Sequence, residues 1–207
     1  MIPAPPPLHY LALGDSYTIG ESVPAEACWP MQLVEQLRRH GVVIDDPRIV
    51  AVTGWTTDEL SAGMDRTRLA LNYDLVTLQI GVNNQYRGRS AGEYRGEFSA
   101  LLQRAIRLAG NHPARVVVVS IPDWGVTRFG LASGRDTAKI AHELDVFNAI
   151  ARDEASRAGA RFVNITGISR DQPAMVADDG LHPSAAQYAL WTRAIAPTVN
   201  TALRSPP

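Results

Sequence analysis

Short apolar runs alternate with longer stretches of helical spacing along the whole chain. Residues 8–13, 48–52, 74–80, 116–121 and 161–165 read as strands, and the run of four valines from Val116 to Val119 is the most buried-looking of them. Between them lie amphipathic segments. Residues 29–40 predict a helix with Pro30 near its first position and Gly41 past its end. A helical stretch begins at 57–63. Residues 93–108 place Phe98, Leu101, Leu102, Ala105 and Leu108 on one side, and 137–157 form a long helix stopping near Gly159. The last helix, 184–203, is expected to bend or break near Pro197.

Strand–helix alternation of this kind argues for a parallel sheet covered by helices on both faces, because β-branched runs without polar alternation need cover on both sides. Right-handed crossovers then give a three-layer, doubly wound α/β fold. The expected sheet has five parallel strands in the flavodoxin-like order 2-1-3-4-5. A length of 207 residues fits one domain, 1–207, with residues 1–7 as a flexible proline-rich start.

Composition removes several classes. Formal net charge is −1, so no broad positive field would gather nucleic acid or anionic lipid. No apolar run approaches the ~18 residues of a membrane-spanning helix. The start lacks the basic and apolar regions of a signal peptide, which makes cytoplasmic the default location, although a removed leader would leave the same chain. The one cysteine, Cys28, reads as a small buried hydrophobe, and CxxC or HExxH spacing is absent; neither metal nor organic cofactor is expected.

In a doubly wound fold, ligands bind beyond the carboxyl ends of the strands. Gly14-Asp15-Ser16-Tyr17-Thr18 follows strand one, Thr53-Gly54-Trp55 strand two, Gly81-Val82-Asn83-Asn84 strand three, and Asp179-Gly180-Leu181-His182-Pro183 precedes the last helix. A hydroxyl, a flexible backbone position, an amide, an acid and an imidazole converge there, as acyl transfer requires. Ser16 is the candidate nucleophile and needs a base to take its proton; His182 is that base, since imidazole titrates near neutral pH. Asp179, three residues earlier, can hold the other ring nitrogen, with Asp178 as a lesser candidate. Oxyanion donors would be the N–H of Ser16, the N–H of Gly54 and the amide of Asn83. His9, His40, His112 and His142 lack an acid at that spacing and read as structural or solvated.

These four segments resemble the blocks of the SGNH (GDS-type) hydrolases, esterases and lipases of flavodoxin-like fold, and the resemblance covers nearly the whole chain. It implies Ser16 as nucleophile, Gly54 and Asn83 with the serine N–H as oxyanion hole, and Asp179 and His182 as the remaining pair. Tyr17 departs from the leucine often found there, and Asn84 from an aspartate. Asp15 reads as the organiser of its turn. Asp15, Tyr17, Trp55, Asn84, Trp124 and Phe129 are the candidate substrate contacts, the last two from a loop at 122–136 that suggests a substrate wall. Tyr86, Arg87 and Arg89 are further candidates for the cleft, the arginines as solvated charges or as contacts to an acidic substrate.

The expected activity is hydrolysis of carboxylic esters with small or medium acyl groups through an acyl-enzyme, with a small-molecule ester as partner. Carbohydrate O-deacetylase, lysophospholipase and thioesterase activities share the same apparatus. A non-catalytic binding module has no need for an acid–imidazole pair. A nucleotide or flavin binder would want a phosphate-cradling loop where an acid, Asp15, stands.

Overall fold

The computed structural model describes residues 5–204; the expectation of a flexible start falls mainly on residues 1–4, which lie outside the described residues. Five strands, β1 (Tyr10–Gly14), β2 (Arg48–Ala51), β3 (Leu75–Gln79), β4 (Val116–Val119) and β5 (Arg161–Val163), pair in the order β2-β1-β3-β4-β5. All pairings are parallel, with Ala12 opposite both Ile49 and Thr77, Thr77 opposite Val117, and Val118 opposite Phe162. The sheet is the one the hydrophobic pattern predicts. Every residue of β1, β3 and β4 is buried, which is why those runs show no polar alternation, while the edge strands β2 and β5 keep partly exposed positions.

The long helices are α2 (Trp29–Arg39), α3 (Thr57–Arg66), α5 (Ala91–Leu108), α7 (Thr137–Ala158) and α9 (Ala185–Leu203). Their ends follow local rules. A capping box joins Thr56 and Glu59 at the start of α3; Ser90, Asp136 and Ser184 cap α5, α7 and α9; α7 stops at left-handed Gly159. Helices α2 and α9 pack together on one side, and α5 packs with α3 and α7 on the other. Between helices and sheet lies one contiguous core built around Leu11, Leu13, Val76, Leu78, Val117 and Trp191.

Four short helices carry no readable period in the sequence: α1 (Ser16–Ile19), α4 (Val82–Tyr86), α6 (Arg128–Ala132) and α8 (Thr166–Asp171). Three of them, α1, α4 and α6, lie at the strand-end edge. Helix α9 runs unbroken through Pro197, where a bend or a break was expected; the break is absent. Proline removes one backbone donor, but Pro197 and the residue four before it, Arg193, lie on the exposed face, where water can satisfy the freed carbonyl.

Candidate active site

Strand β1 delivers the nucleophile candidate. Gly14 ends the strand where a Cβ would fall 2.1 Å from Thr18 Oγ1 and 2.6 Å from the Gln79 carbonyl, so only glycine lets the turn lie this close to the sheet. Asp15 caps α1: its Oδ1 accepts the N–H of Tyr17 at 3.1 Å, and its carbonyl accepts that of Thr18 at 3.0 Å. Ser16 is then the first residue of α1, with its own N–H a first-turn donor that the helix cannot use.

Asp15 is almost wholly buried, and burial pushes its carboxyl up to about 7. An acid raised in the folded state binds its proton more tightly folded than unfolded. Stability is therefore fullest below 3.8 and is lost as pH rises toward 7. Asp15→Asn keeps a good capping side chain without the charge. It should raise stability at pH 8 by on the order of 4 kcal/mol, the equivalent of the shift, and flatten the decline between pH 5 and 8. Urea melts of both proteins at the two pH values check this; parallel declines would remove the buried charge from the account.

His182 stands at the far side of the same hollow. The loop before it closes on itself: Val176 bridges Pro183, Ala177 N–H donates to the His182 carbonyl at 2.7 Å, and Gly180 N–H to the Ala177 carbonyl at 2.9 Å. Within this loop the Asp179 carboxylate is fully engaged. Oδ1 accepts the N–H groups of Leu181 at 2.9 Å and His182 at 3.0 Å. Oδ2 pairs with His182 Nδ1 at 2.6 Å and accepts Ser22 Oγ–H at 2.7 Å. Partial burial would raise the Asp179 carboxyl, but these hydrogen bonds, that of His182 foremost, outweigh it and hold the group at about 2. With Nδ1 held by the acid, Nε2 is the nitrogen left for a proton from elsewhere. The Tyr17 ring lies tilted against the imidazole at 5.6 Å between centroids, and Trp191 backs Tyr17.

Ser16 and His182 both line a cavity of about 170 Å³, together with Gly54 and Asn83. Among the described residues no hydrogen bond joins Ser16 Oγ to the imidazole, so the structure forms the acid–imidazole half of a relay and brings the hydroxyl to the same wall. Such bonds often tighten only in the reacting complex. Gly54 adopts φ +85°, a left-handed conformation that side chains resist, in a turn whose carbonyl is held by Arg87 Nη2 at 2.6 Å. Asn83 sits in α4 and donates one amide hydrogen to the Trp55 carbonyl at 2.9 Å; the second amide hydrogen remains for a ligand.

Beyond Thr53, the rest of the wall is aromatic and aliphatic: Tyr17, Val82, Tyr86, Trp124, Phe129 and Leu181. Trp124 and Phe129 bring the 122–136 loop to this wall. Trp124 is locked by its indole N–H to Gln85 Oε1 at 2.8 Å, whereas Phe129 stays over a third exposed. Thr53, Val82 and Leu181, which stand inside the functional blocks, were missed as wall residues, although their place beside Gly54, Asn83 and His182 was the available signal.

Three expected substrate contacts need correction. Asp15 faces the interior as a cap. The Trp55 ring covers Gly63 of α3, so closely that a Cβ there would meet it at 2.2 Å. Asn84 is fully buried and ties α4 to α3: Oδ1 accepts Thr57 N–H at 3.1 Å and Nδ2 donates to Thr57 Oγ1 at 2.6 Å. None of the three lines the cavity. Arg87 and Arg89 are likewise committed, to Glu59 at 3.1 Å and Asp58 at 2.7 Å. Asp178 offers the site its carbonyl, which accepts Arg128 Nη2 at 2.9 Å.

Residues 12–190 match the GDSL-like lipase/acylhydrolase family. The chain belongs to that family. As a GDSL-like acylhydrolase it is a serine carboxylic ester hydrolase. An arylesterase of Vibrio mimicus is 26% identical over 180 residues, covering 84% of this chain and 78% of the relative. Among solved structures, LAE5, an α/β hydrolase from the metagenome of Lake Arreo, superposes with a TM-score of 0.72 at 21% identity, over 97% of this chain and 98% of that one. Axe2, an acetylxylan esterase of Geobacillus stearothermophilus, gives 0.72 at 19% identity over 94% of each. These two establish the fold shared with other hydrolases. Among the described residues no cluster of three or more His, Cys, Asp or Glu is arranged to hold a metal, and no helix is long and apolar enough to cross a membrane.

Proposed function

We propose that this GDSL-like hydrolase cleaves esters of small, uncharged acyl or aryl groups through an acyl-enzyme on Ser16. The observation that carries this is a single hollow of about 170 Å³ shared by Ser16 and an imidazole whose far nitrogen is held by a carboxylate at 2.6 Å. Ser16 Oγ attacks the acyl carbon while His182 Nε2 takes its proton; Asp179 stabilises the imidazolium. The oxyanion rests on the N–H groups of Ser16 and Gly54 and the free amide hydrogen of Asn83. Collapse breaks the ester C–O bond, and His182 returns the proton to the leaving alcohol. Water then repeats the sequence on the acyl-enzyme and releases the acid.

The size of the group follows from the cavity. An apolar cavity of about 150 Å³ accommodates benzene, and this one is of that order. Among the described residues no Lys, Arg, Asp or Glu lines it, so a charged acyl group would be desolvated without a partner. The names of the relatives, an arylesterase and an acetylxylan esterase, agree with small groups. A p-nitrophenyl ester series tests the reading. The ratio kcat/KM should peak at acetyl to butyryl and fall by about a hundredfold at palmitoyl, as for a pocket that cannot house the chain. A fluorophosphonate should leave one adduct, on the Ser16 peptide. A palmitoyl ester turned over faster than acetyl, or an adduct elsewhere, would overturn the proposal.

A further inference from the structure

Asp179 is held by four hydrogen bonds, and three of them come from its own turn. The fourth, from Ser22 Oγ at 2.7 Å, comes from 157 residues away in sequence and lands on the oxygen that faces the imidazole. Ser22 is not an arbitrary neighbour. It lies six residues after Ser16, just past the end of α1. That end is fixed by two bonds into one acceptor: the N–H groups of Gly20, at 3.1 Å, and Glu21, at 3.0 Å, both reach the Ser16 carbonyl. The chain thus runs by a short, closed path from the nucleophile's own carbonyl to the hydroxyl that grips the acid.

Ser22 also sits at φ +66°, a left-handed conformation uncommon for a side-chain-bearing residue. Such outliers persist where the surrounding structure over-determines them, and they cluster at functional sites. Here that conformation accompanies a hydroxyl turned onto the Asp179 carboxylate.

We propose that Ser22 is a positioning residue: it ties the segment carrying the nucleophile to the turn carrying the acid and the base, and so sets the approach of His182 Nε2 to Ser16 Oγ. The inference rests on the roles proposed above for those three residues. It adds a fourth member that acts only through Asp179 and touches no substrate. Two consequences separate it from a mere surface contact. First, a displaced imidazole slows chemistry while the apolar wall that holds the ester stays in place, so kcat falls and KM changes little. Second, the Ser22 hydroxyl draws charge from Oδ2. Without it that oxygen is a stronger acceptor for the Nδ1 proton and favours the imidazolium, so the acid limb of kcat/KM moves to higher pH. The other titratable groups facing the pair are Asp15 and Tyr17 beside the nucleophile, Asp123 after β4, Arg128 of α6 and Tyr188 of α9; all are untouched by substitution at 22.

The experiment is a set of pH–rate profiles on p-nitrophenyl acetate for the wild type, Ser22→Ala and Ser22→Gly. Both variants lose the hydroxyl; glycine also relieves the backbone. Each should lose about tenfold in kcat, with KM within twofold, as for a modest misplacement of reacting groups. In each, the acid limb should rise by about half a pH unit. Glycine at wild-type activity, or acid limbs superimposed on the wild type, would overturn the role of the hydroxyl. Failure of the wider reading looks different: His182→Ala would then stay active and the wild type would show no acid limb at all.

Discussion

Ser16→Ala, His182→Ala and the double variant should each lose about 10⁶-fold in kcat on p-nitrophenyl acetate, the double no more than either single. The reason lies in the division of labour. A serine hydroxyl at neutral pH is a weak nucleophile until a base removes its proton, and the base does nothing once the hydroxyl is gone. Their contributions therefore cannot add. About 10³–10⁴-fold acceleration over water should survive all three changes, from the oxyanion donors and from holding the ester in the cavity. Neither substitution should disturb the fold much. Ser16 has no side-chain hydrogen bond to lose among the described residues, and the loop around His182 is closed by backbone bonds, including its own carbonyl to Ala177 N–H. Melting temperature measured beside kcat checks this. A double variant a thousandfold below either single would mean two independent machines, and a His182→Ala enzyme keeping a tenth of its activity would remove the base.

The parts of this protein that could be read from its sequence are those set by local pattern. The valine run of β4 is apolar throughout because both its faces are covered, and that same burial made it recognisable. Asp179 and His182 were legible because three residues in a glycine-containing turn bring an acid to an imidazole. The misread positions depended on distant parts of the chain. Asn83 and Asn84 look alike in the sequence. In α4, however, successive residues point about 100° apart, so one faces the cavity and the other dives under α3. Helices of four to six residues, such as α1 and α6, are too short to show a period. Ser22 had no local signal whatever; its partner lies across the molecule.

Asp179→Asn should cost about 10⁴-fold in kcat, as removal of the orienting charge does in such relays, and should be at least as harmful as Asp179→Ala. The hydrogen bonds dictate which way the new amide turns. At Oδ1 two backbone N–H groups, of Leu181 and His182, require an acceptor, so the asparagine carbonyl must occupy that position. Its NH₂ group is then forced onto the Oδ2 position, facing His182 Nδ1. A donor there selects the tautomer protonated on Nε2, which cannot accept a proton from Ser16. Alanine imposes no tautomer and leaves water to serve Nδ1. The pH dependence follows from the same contacts. Because Asp179 is held at about 2, below its usual 3.8, it stays ionised through the working range; its stabilising contribution is complete above 3.8 and lost only as pH falls toward 2. Loss of wild-type activity above pH 4 should therefore not come from protonation of Asp179, and it should precede any unfolding. Rate and circular dichroism followed together from pH 9 to pH 3 decide the point: activity that falls only in step with the fold would place the acid limb on stability instead of on the base.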